Sequence, residues 1–413
     1  MKRSRQVVIG SSAAGVSAAF AMRRAGFDGA ITIVGSDPHE PYERPPLSKS
    51  LLSTGDTSLK PIFPAQSYLD DDLELILGVG VRRLDTARQT VELADGRILA
   101  AGHVLLATGV GARRLPIPGA DLANVMVLRD AADAGALASR LTSGGPLLVI
   151  GGGFIGLELA AAARDRGLDV TVVEQAALPL VGVAGRPIAE LVRQLHEDRG
   201  VRFVLGTTVE ALVGTNEVEA AILSDGSRRP AATVVVGVGV VPRVELAEAA
   251  GIEVDRYGIV VDRFGATTNP WVSAAGDVAS QPHPALDTRG RIEHWDVALR
   301  HGAAVGASAV GVATEFDALP YAWSDQFGLT FQIFGRPRAT DQFVLRAGAT
   351  QERFIGFWMR DERVGAVMGL NAAREVAAAR RLIESGLHVP AARLLDAEVD
   401  LRRLPKQLAA DLS

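Results

Sequence analysis

No cysteine occurs anywhere in the 413 residues. Disulfides, thiol catalysis and cysteine-ligated zinc or iron–sulfur clusters are excluded together. Histidine is scarce too: there are seven, with no pair at metal-ligand spacing, so His294 and His301 read as ordinary surface or core residues. Long apolar runs are missing. The run 231–241 carries Thr233 and two glycines and falls well short of the ~20 residues a membrane helix needs. Basic runs are missing as well. Net charge is −5, with no Lys/Arg cluster long enough to grip nucleic acid. The start Met1-Lys2-Arg3-Ser4-Arg5 is basic but enters a strand without an apolar stretch, so no signal peptide is expected and a cytoplasmic chain is.

Glycine, by contrast, is abundant at 44 residues, and 48% of the chain is hydrophobic, enough for two or three domains. Two glycine turns share one pattern. Val7-Val8-Ile9 precedes Gly10-Ser11-Ser12-Ala13-Ala14-Gly15, and Leu147-Leu148-Val149-Ile150 precedes Gly151-Gly152-Gly153-Phe154-Ile155-Gly156. Each follows a β-branched or aliphatic run and opens an alanine-rich helix, the setting of a dinucleotide fingerprint. Glycines there let backbone N–H groups approach a pyrophosphate at the helix N-terminus. In the second turn Gly151, Gly153 and Gly156 fit G-x-G-x-x-G fully, and Glu174 ends the next strand near the ~20-residue spacing of the acid that binds a ribose 2′-OH. No Arg or Lys follows until Arg186, so NADH fits and a 2′-phosphate does not. In the first turn Ser12 replaces the middle glycine, a residue expected to narrow the approach and resist positive φ. Its second strand leads to Asp37, the corresponding ribose acid.

Two dinucleotide sites in one chain imply electrons passing from one bound cofactor to another. The expected fold is α/β: two Rossmann-like dinucleotide-binding domains, one inserted in the other, plus a C-terminal α+β domain. Residues 1–112 and 238–315 form the first, 113–237 the second and 316–413 the third. The last is richest in aromatics, with alternation such as Thr330-Phe331-Gln332-Ile333-Phe334 indicating antiparallel strands and helices over 372–384 and 391–395. A further helix is expected from Trp295 to about 310.

Four further motifs carry a resemblance over nearly the whole chain. Thr267-Thr268-Asn269-Pro270-Trp271-Val272-Ser273-Ala274-Ala275-Gly276-Asp277 resembles the second flavin motif of the glutathione-reductase-like flavoproteins. Ala107-Thr108-Gly109, followed by Arg113-Arg114-Leu115-Pro116, looks like their crossover between domains. Glu43-Arg44-Pro45-Pro46-Leu47-Ser48-Lys49 is similar to the flavin loop of the oxygenase-coupled NADH–ferredoxin reductases. Tyr321-Ala322-Trp323-Ser324-Asp325-Gln326 is similar to the C-terminal domain of that subfamily.

The resemblance implies FAD and NADH as cofactors. It places FAD against Gly10, Ser12, Ala14, Gly15 and Asp37, against Arg44, Pro45 and Lys49, against Ala107, Thr108, Gly109 and Arg113, and against Gly276, Asp277 and Trp295. NAD falls to Gly151, Gly153, Phe154, Ile155, Gly156, Glu158 and Glu174, with Gly237-Val238-Gly239 as a platform for the nicotinamide. Lys49 is implied beside flavin N5, paired with Glu158, where its charge favours the reduced ring; the plainer reading is a solvated loop lysine and a solvated helix acid. Trp295 opens a helix implied to face the flavin ring or, more plainly, to pack in the core. Trp323 is similar to the family tryptophan near the flavin and the docking face, or is a core residue.

The implied activity is hydride transfer from NADH to flavin N5, then single electrons to a [2Fe–2S] ferredoxin serving a cytochrome P450 or a ring-hydroxylating dioxygenase, with the protein a monomer or weak dimer. Reduction of a rubredoxin, quinone or monodehydroascorbate stays open on the same scaffold. Oxidases that depend on a redox cysteine do not. A signalling protein resembling apoptosis-inducing factor is disfavoured by the acidic charge. An acidic ferredoxin needs local positive charge, for which Arg300, Arg336, Arg338, Arg374, Arg380, Arg381, Arg402, Arg403 and Lys406 are available. The arginine that the family commonly places after the ribose acid is absent, leaving Arg186 to reach in or NADH to bind more weakly.

Overall fold

The strand Gln6–Ile9 is buried along its whole length because both faces carry a core. Val7 and Ile9 join Val34, Leu106, Val91 and Trp271 on one side, while Val8 joins Ile31, Ile33, Leu105, Phe20 and Val305 on the other. A strand covered on both faces needs no polar alternation, which is why these segments read as continuous apolar runs. In this computed structural model residues 5–54, 58–286, 289–338 and 340–410 are described, so most of the basic start lies outside them.

The chain divides into two compact units. One comprises Met1–Arg44, Leu59–Gly111 and Val240–Pro320; the other Pro45–Ser58, Ala112–Gly239 and Tyr321–Ser413. The first unit is built on a five-stranded parallel sheet, ordered Val272–Ala274, His103–Leu106, Gln6–Ile9, Ile31–Gly35, Leu73–Leu77. The register is unbroken, with Gln6 opposite both Ile31 and His103. Its edge strand comes from residues far along the chain, with Val272 opposite Val104. The helix Ala13–Arg24 lies against the helix Trp295–Ala309 with small residues in between. A Cβ on Gly302 would stand 2.2 Å from the Ala14 carbonyl oxygen, and one on Gly306 2.3 Å from that of Ala18. Only glycine permits so close an approach.

The second unit repeats the design with a parallel sheet ordered Arg202–Leu205, Val170–Glu174, Leu147–Ile150, Thr233–Val236, Val125–Met126. It adds an antiparallel sheet ordered Tyr321–Gln326, Leu329–Gly335, Arg363–Leu370, Phe354–Arg360, Gln342–Leu345. The helix Ala373–Ser385 covers one face of that sheet with Val376, Ala379 and Leu382. The other face packs Phe331, Phe354 and Trp358 against Leu157, Ile188 and Val192. The two expected C-terminal helices and the Trp295 helix stand within a residue or so of where the sequence puts them, and a further helix, Leu404–Ala410, follows. Among the described residues no helix is long and apolar enough to cross a membrane, and no group of His, Asp and Glu side chains could hold a metal.

Candidate functional site

Both fingerprint turns are built so that only glycine fits at their ends. Gly10 and Gly151 have φ of +123° and +107°. Their absent Cβ atoms would stand 2.1 Å from the Ala107 and 2.4 Å from the Gly237 carbonyl oxygens. Gly15 and Gly156 are equally closed, by the carbonyl oxygens of Gly10 and Gly151 at 1.9 and 2.1 Å. The middle position differs from expectation. Ser12 has φ −109° and is the N-cap of the helix Ala13–Arg24. Gly153 has φ −78° in the same role, and a Cβ there would meet nothing within 4 Å. No positive φ is demanded, so Ser12 carries no backbone strain. Its hydroxyl does not cap the helix, nor does any side chain cap the helix Phe154–Asp165, and neither helix has an acid in its first turn. Elsewhere the helix Ala131–Ser143 is closed by a reciprocal Asp130–Asp133 capping box. The fingerprint helices therefore keep free N–H groups and the positive end of the dipole, as a pyrophosphate requires.

The two acids expected at the riboses are held in place. In the second unit Glu174 Oε2 accepts the Gly152 N–H at 2.6 Å and Oε1 accepts that of Ala176 at 2.7 Å. In the first, Asp37 Oδ1 accepts the His39 N–H at 3.1 Å and meets Nδ1 at 2.7 Å, while Tyr42 donates to Oδ2 at 2.8 Å. Burial pushes the Asp37 carboxyl up, but hydrogen bonds from His39 and Tyr42 and the His39 charge outweigh it, so the net shift is down. Each carboxylate retains acceptor capacity for ribose hydroxyls. Arg186 does not reach toward Glu174. It follows Gly185, where φ of +67° breaks the helix Val181–Asp198, and it pairs with Glu190 at 3.4 Å.

The first unit also brings together Gly10, Ala107, Thr108, Gly109, Gly276 and Asp277. Thr108 donates to the Arg243 carbonyl at 2.8 Å, and Gly109 takes φ +64°. Gly276 has φ +76°, with Ala14 Cβ 2.6 Å from where its own Cβ would stand, and Asp277 follows in a short 3₁₀ turn, Gly276–Val278. The Gly276 N–H donates to Nδ1 of the buried His301 at 3.2 Å. Trp295 is half-buried at the start of its helix, against the cluster of Val16, Phe20 and Ala298. Arg44 is half-buried in this unit.

Pro45, Lys49 and Arg113 belong to the second unit. There Lys49 Nζ donates to Glu158 Oε1 at 2.8 Å, with side chains only 15% and 5% exposed. Neither is a solvated surface charge. Ser48 donates to Glu158 Oε2, and Ser324 donates to Oε1 at 2.5 Å. Behind Ser324 stand Gln326 at 3.0 Å and His196, whose Nε2 is 2.9 Å from Gln326 Oε1. Burial pushes the His196 imidazole down to about 4, aided by the Arg199 charge against the opposing Gln326 hydrogen bond. Gly237 donates to the Ile150 carbonyl at 2.8 Å, Arg113 N–H to Gly239 at 3.0 Å, and Val238 is half-buried between them. Phe154 is half-buried and Ile155 exposed, an apolar surface on the first turn of the fingerprint helix. Trp323 is half-buried, its ring stacked on Tyr321 at 5.9 Å.

Sequence reasoning passed over Ser48, Ser324, Gln326, His196 and His301. Three of these lie inside motifs already quoted, and that membership was the only local signal. Among the basic residues, Arg300, Arg380, Arg402 and Arg403 are paired with Asp296, Glu384 and Asp400. Arg336, Arg374, Arg381 and Lys406 are exposed with no acidic partner among the described residues.

This fold and site define a nucleotide-linked oxidoreductase. Residues 4–302 match the pyridine nucleotide-disulphide oxidoreductase family and 321–405 the reductase C-terminal family. Rhodocoxin reductase of Rhodococcus erythropolis is 37% identical, the alignment covering 96% of this chain and 93% of that protein. The ferredoxin reductase component of chlorobenzene dioxygenase from Cupriavidus sp. (strain PS12) is 37% identical over 98% of both chains. The covalent putidaredoxin reductase–putidaredoxin complex superposes with a TM-score of 0.94 at 32% identity, covering 99% of this chain and 100% of that one. The chain thus belongs to the pyridine nucleotide-disulphide oxidoreductases, among the ferredoxin reductases of oxygenase systems. The disulphide of the family name has no counterpart in a chain without cysteine.

Proposed function

We propose that the chain is an FAD-dependent NADH:ferredoxin oxidoreductase of the cytoplasm, a monomer or weak dimer whose acceptor is a [2Fe–2S] ferredoxin. The observation that carries this is the pair of uncapped fingerprint turns in a chain with no thiol to receive electrons. Reductive chemistry must then end at a cofactor and continue to an outside acceptor. Relatives named as ferredoxin reductase components supply the class of that acceptor. A bound flavin supplies the change from a two-electron hydride donor to a one-electron acceptor.

The chain's own residues bind and orient. The first fingerprint helix and Asp37 hold one dinucleotide by its pyrophosphate and ribose, with Asp277 on the ribityl chain. The second helix and Glu174 hold the other, and Gly237-Val238-Gly239 offers the nicotinamide a bare backbone platform. Lys49 is the cation that favours a reduced flavin ring, and Glu158 fixes its ammonium. No general base is needed, because hydride transfer depends on geometry.

The test is NADH turnover, first with ferricyanide and then with purified [2Fe–2S] ferredoxins. Ferricyanide reduction with every ferredoxin inert would overturn the acceptor and favour a quinone or rubredoxin. For the coenzyme, NADH should exceed NADPH in kcat/KM by about ten- to a hundredfold, since a 2′-phosphate meets the Glu174 carboxylate unassisted. Glu174→Arg should narrow that ratio, and equal wild-type values would refute the assignment of Glu174.

A further inference from the structure

Glu158 is a carboxylate buried to 4% exposure, and it accepts from three donors, Lys49, Ser48 and Ser324. Such a group is costly unless its acceptor sites are filled. The bond directions behind it follow from that. Ser324 spends its only hydrogen on Glu158, so toward Gln326 it can only accept. The Gln326 amide NH₂ therefore faces Ser324 at 3.0 Å, and its oxygen faces His196 at 2.9 Å. That oxygen needs a donor, so His196 carries its hydrogen on Nε2. Among the described residues its Nδ1 has no partner, and it lies in a wholly buried ring edged by Phe203 and Phe327. A protonated imidazole would put a second, unsatisfied donor there, and burial keeps the ring neutral at pH 7. Every hydrogen in the row then points one way, from His196 through Gln326 and Ser324 to Glu158.

We propose that Ser324 and Gln326, on the first strand of the C-terminal sheet, are positioning residues that hold the Glu158 carboxylate in the one rotamer that fixes the Lys49 ammonium. This rests on the reading of Lys49 as the cation that favours reduced flavin. The strand Tyr321–Gln326 turns Ser324 and Gln326 to the same face, two residues apart, and both are buried. The C-terminal sheet thereby reaches the Lys49–Glu158 pair through the Ser324 hydroxyl. Bonds in such a row polarise and strengthen one another.

The test uses the full flavin-loaded chain. It has four lysines, Lys2, Lys49, Lys60 and Lys406, so the ammonium ¹H–¹⁵N signals are few enough to assign by substitution. Lys49 should give a sharp signal in wild type because its hydrogens are held and shielded. Ser324→Ala should broaden it, lower the flavin midpoint potential and slow reduction by NADH about tenfold, the scale of one hydrogen bond to a charge. Gln326→Met, similar in volume, should act in the same direction and more weakly, which keeps the test open if Ser324→Ala folds poorly. In a Glu158→Gln background, Ser324→Ala should add nothing. An unchanged Lys49 signal, or equal effects of Ser324→Ala with and without Glu158, would overturn the proposal whatever the acceptor. A broadened signal with an unchanged flavin potential would uphold the positioning and overturn instead the role given to Lys49.

Discussion

His301 Nδ1 accepts the backbone N–H of Gly276 at 3.2 Å, tying the helix Trp295–Ala309 to the turn that presents Asp277. The turn takes φ +76° at Gly276 and cannot rely on regular pairing to hold it. Removing the acceptor strands a buried N–H, at a cost of about 1–3 kcal/mol. His301→Ala should therefore weaken FAD binding to the apoprotein about tenfold, read by quenching of flavin fluorescence, while His301→Gln, which restores an acceptor, should recover most of it. Equal affinities in wild type and His301→Ala would remove His301 from the flavin site.

Burial shifts four imidazoles down, those of His103, His196, His283 and His301, and so makes stability depend on pH. Burial pushes His301 down to about 3, with the His283 charge adding to it, and burial likewise takes His103 and His196 to about 4. Each ordinarily titrates near 6.5. Between the two values the unfolded chain binds more protons than the folded one, so stability falls as pH drops from about 6.5 toward 4. The slope is at most about 1.4 kcal/mol per pH unit for each histidine. His103, His283 and His301 lie in one unit and His196 in the other. If the units melt separately, the first should lose stability more steeply than the second. Denaturant unfolding from pH 8 to 5 measures this, and a flat profile would refute it.

Gly302→Ala and Gly306→Ala should each destabilise by about 2–3 kcal/mol. Alanine gains about 1 kcal/mol of helix propensity, but its Cβ would press on the Ala14 or Ala18 carbonyl, and overpacking costs more. Gly135→Ala, in the helix Ala131–Ser143 with nothing within 4 Å, should stabilise by about 0.5–1 kcal/mol. Opposite signs at these helical glycines in urea titrations check the close approach directly.

Ferredoxin reduction should slow as ionic strength rises, since steering charges are screened as the Debye length falls from about 10 Å at 0.1 M to about 3 Å at 1 M. The unpaired cations are the ones to test. Arg374 and Arg381, seven apart and exposed on the helix Ala373–Ser385, should on reversal to Glu raise KM for ferredoxin severalfold and leave KM for NADH alone. Arg300 and Arg403, already neutralised by Asp296 and Asp400, should matter less. A KM that ignores both salt and these reversals would place docking on an apolar face.

What was legible in the sequence was whatever local chemistry demands. A turn that must present N–H groups to a phosphate needs glycine at fixed offsets, so Gly10, Gly151 and Gly156 announced themselves, and Glu174 was picked out by its spacing from Gly151 at the end of the next strand. Lys49 and Glu158 stood in motifs of their own. The row from Ser324 to His196 was not legible, because serine and glutamine in a strand look alike whether they face solvent or a buried carboxylate. Only the pairing of residues more than a hundred positions apart decides that. Ser12 was misjudged for a related reason. The spacing pattern names a glycine but not why it is needed, and at this position open space matters rather than φ.

The late arrival of the strand Val272–Ala274 has a consequence for synthesis. When the first hundred or so residues leave the ribosome, His103–Leu106 is an open strand edge, and the Ala14 and Ala18 face of the first helix has nothing to lie against. Both wait for some two hundred more residues, roughly 10–40 s at ordinary translation rates. During that interval the intervening nucleotide-binding segment can close its own sheet, while the segment that preceded it carries a bare apolar edge of the kind that invites strand exchange with a neighbour. The part of the protein made first is completed last.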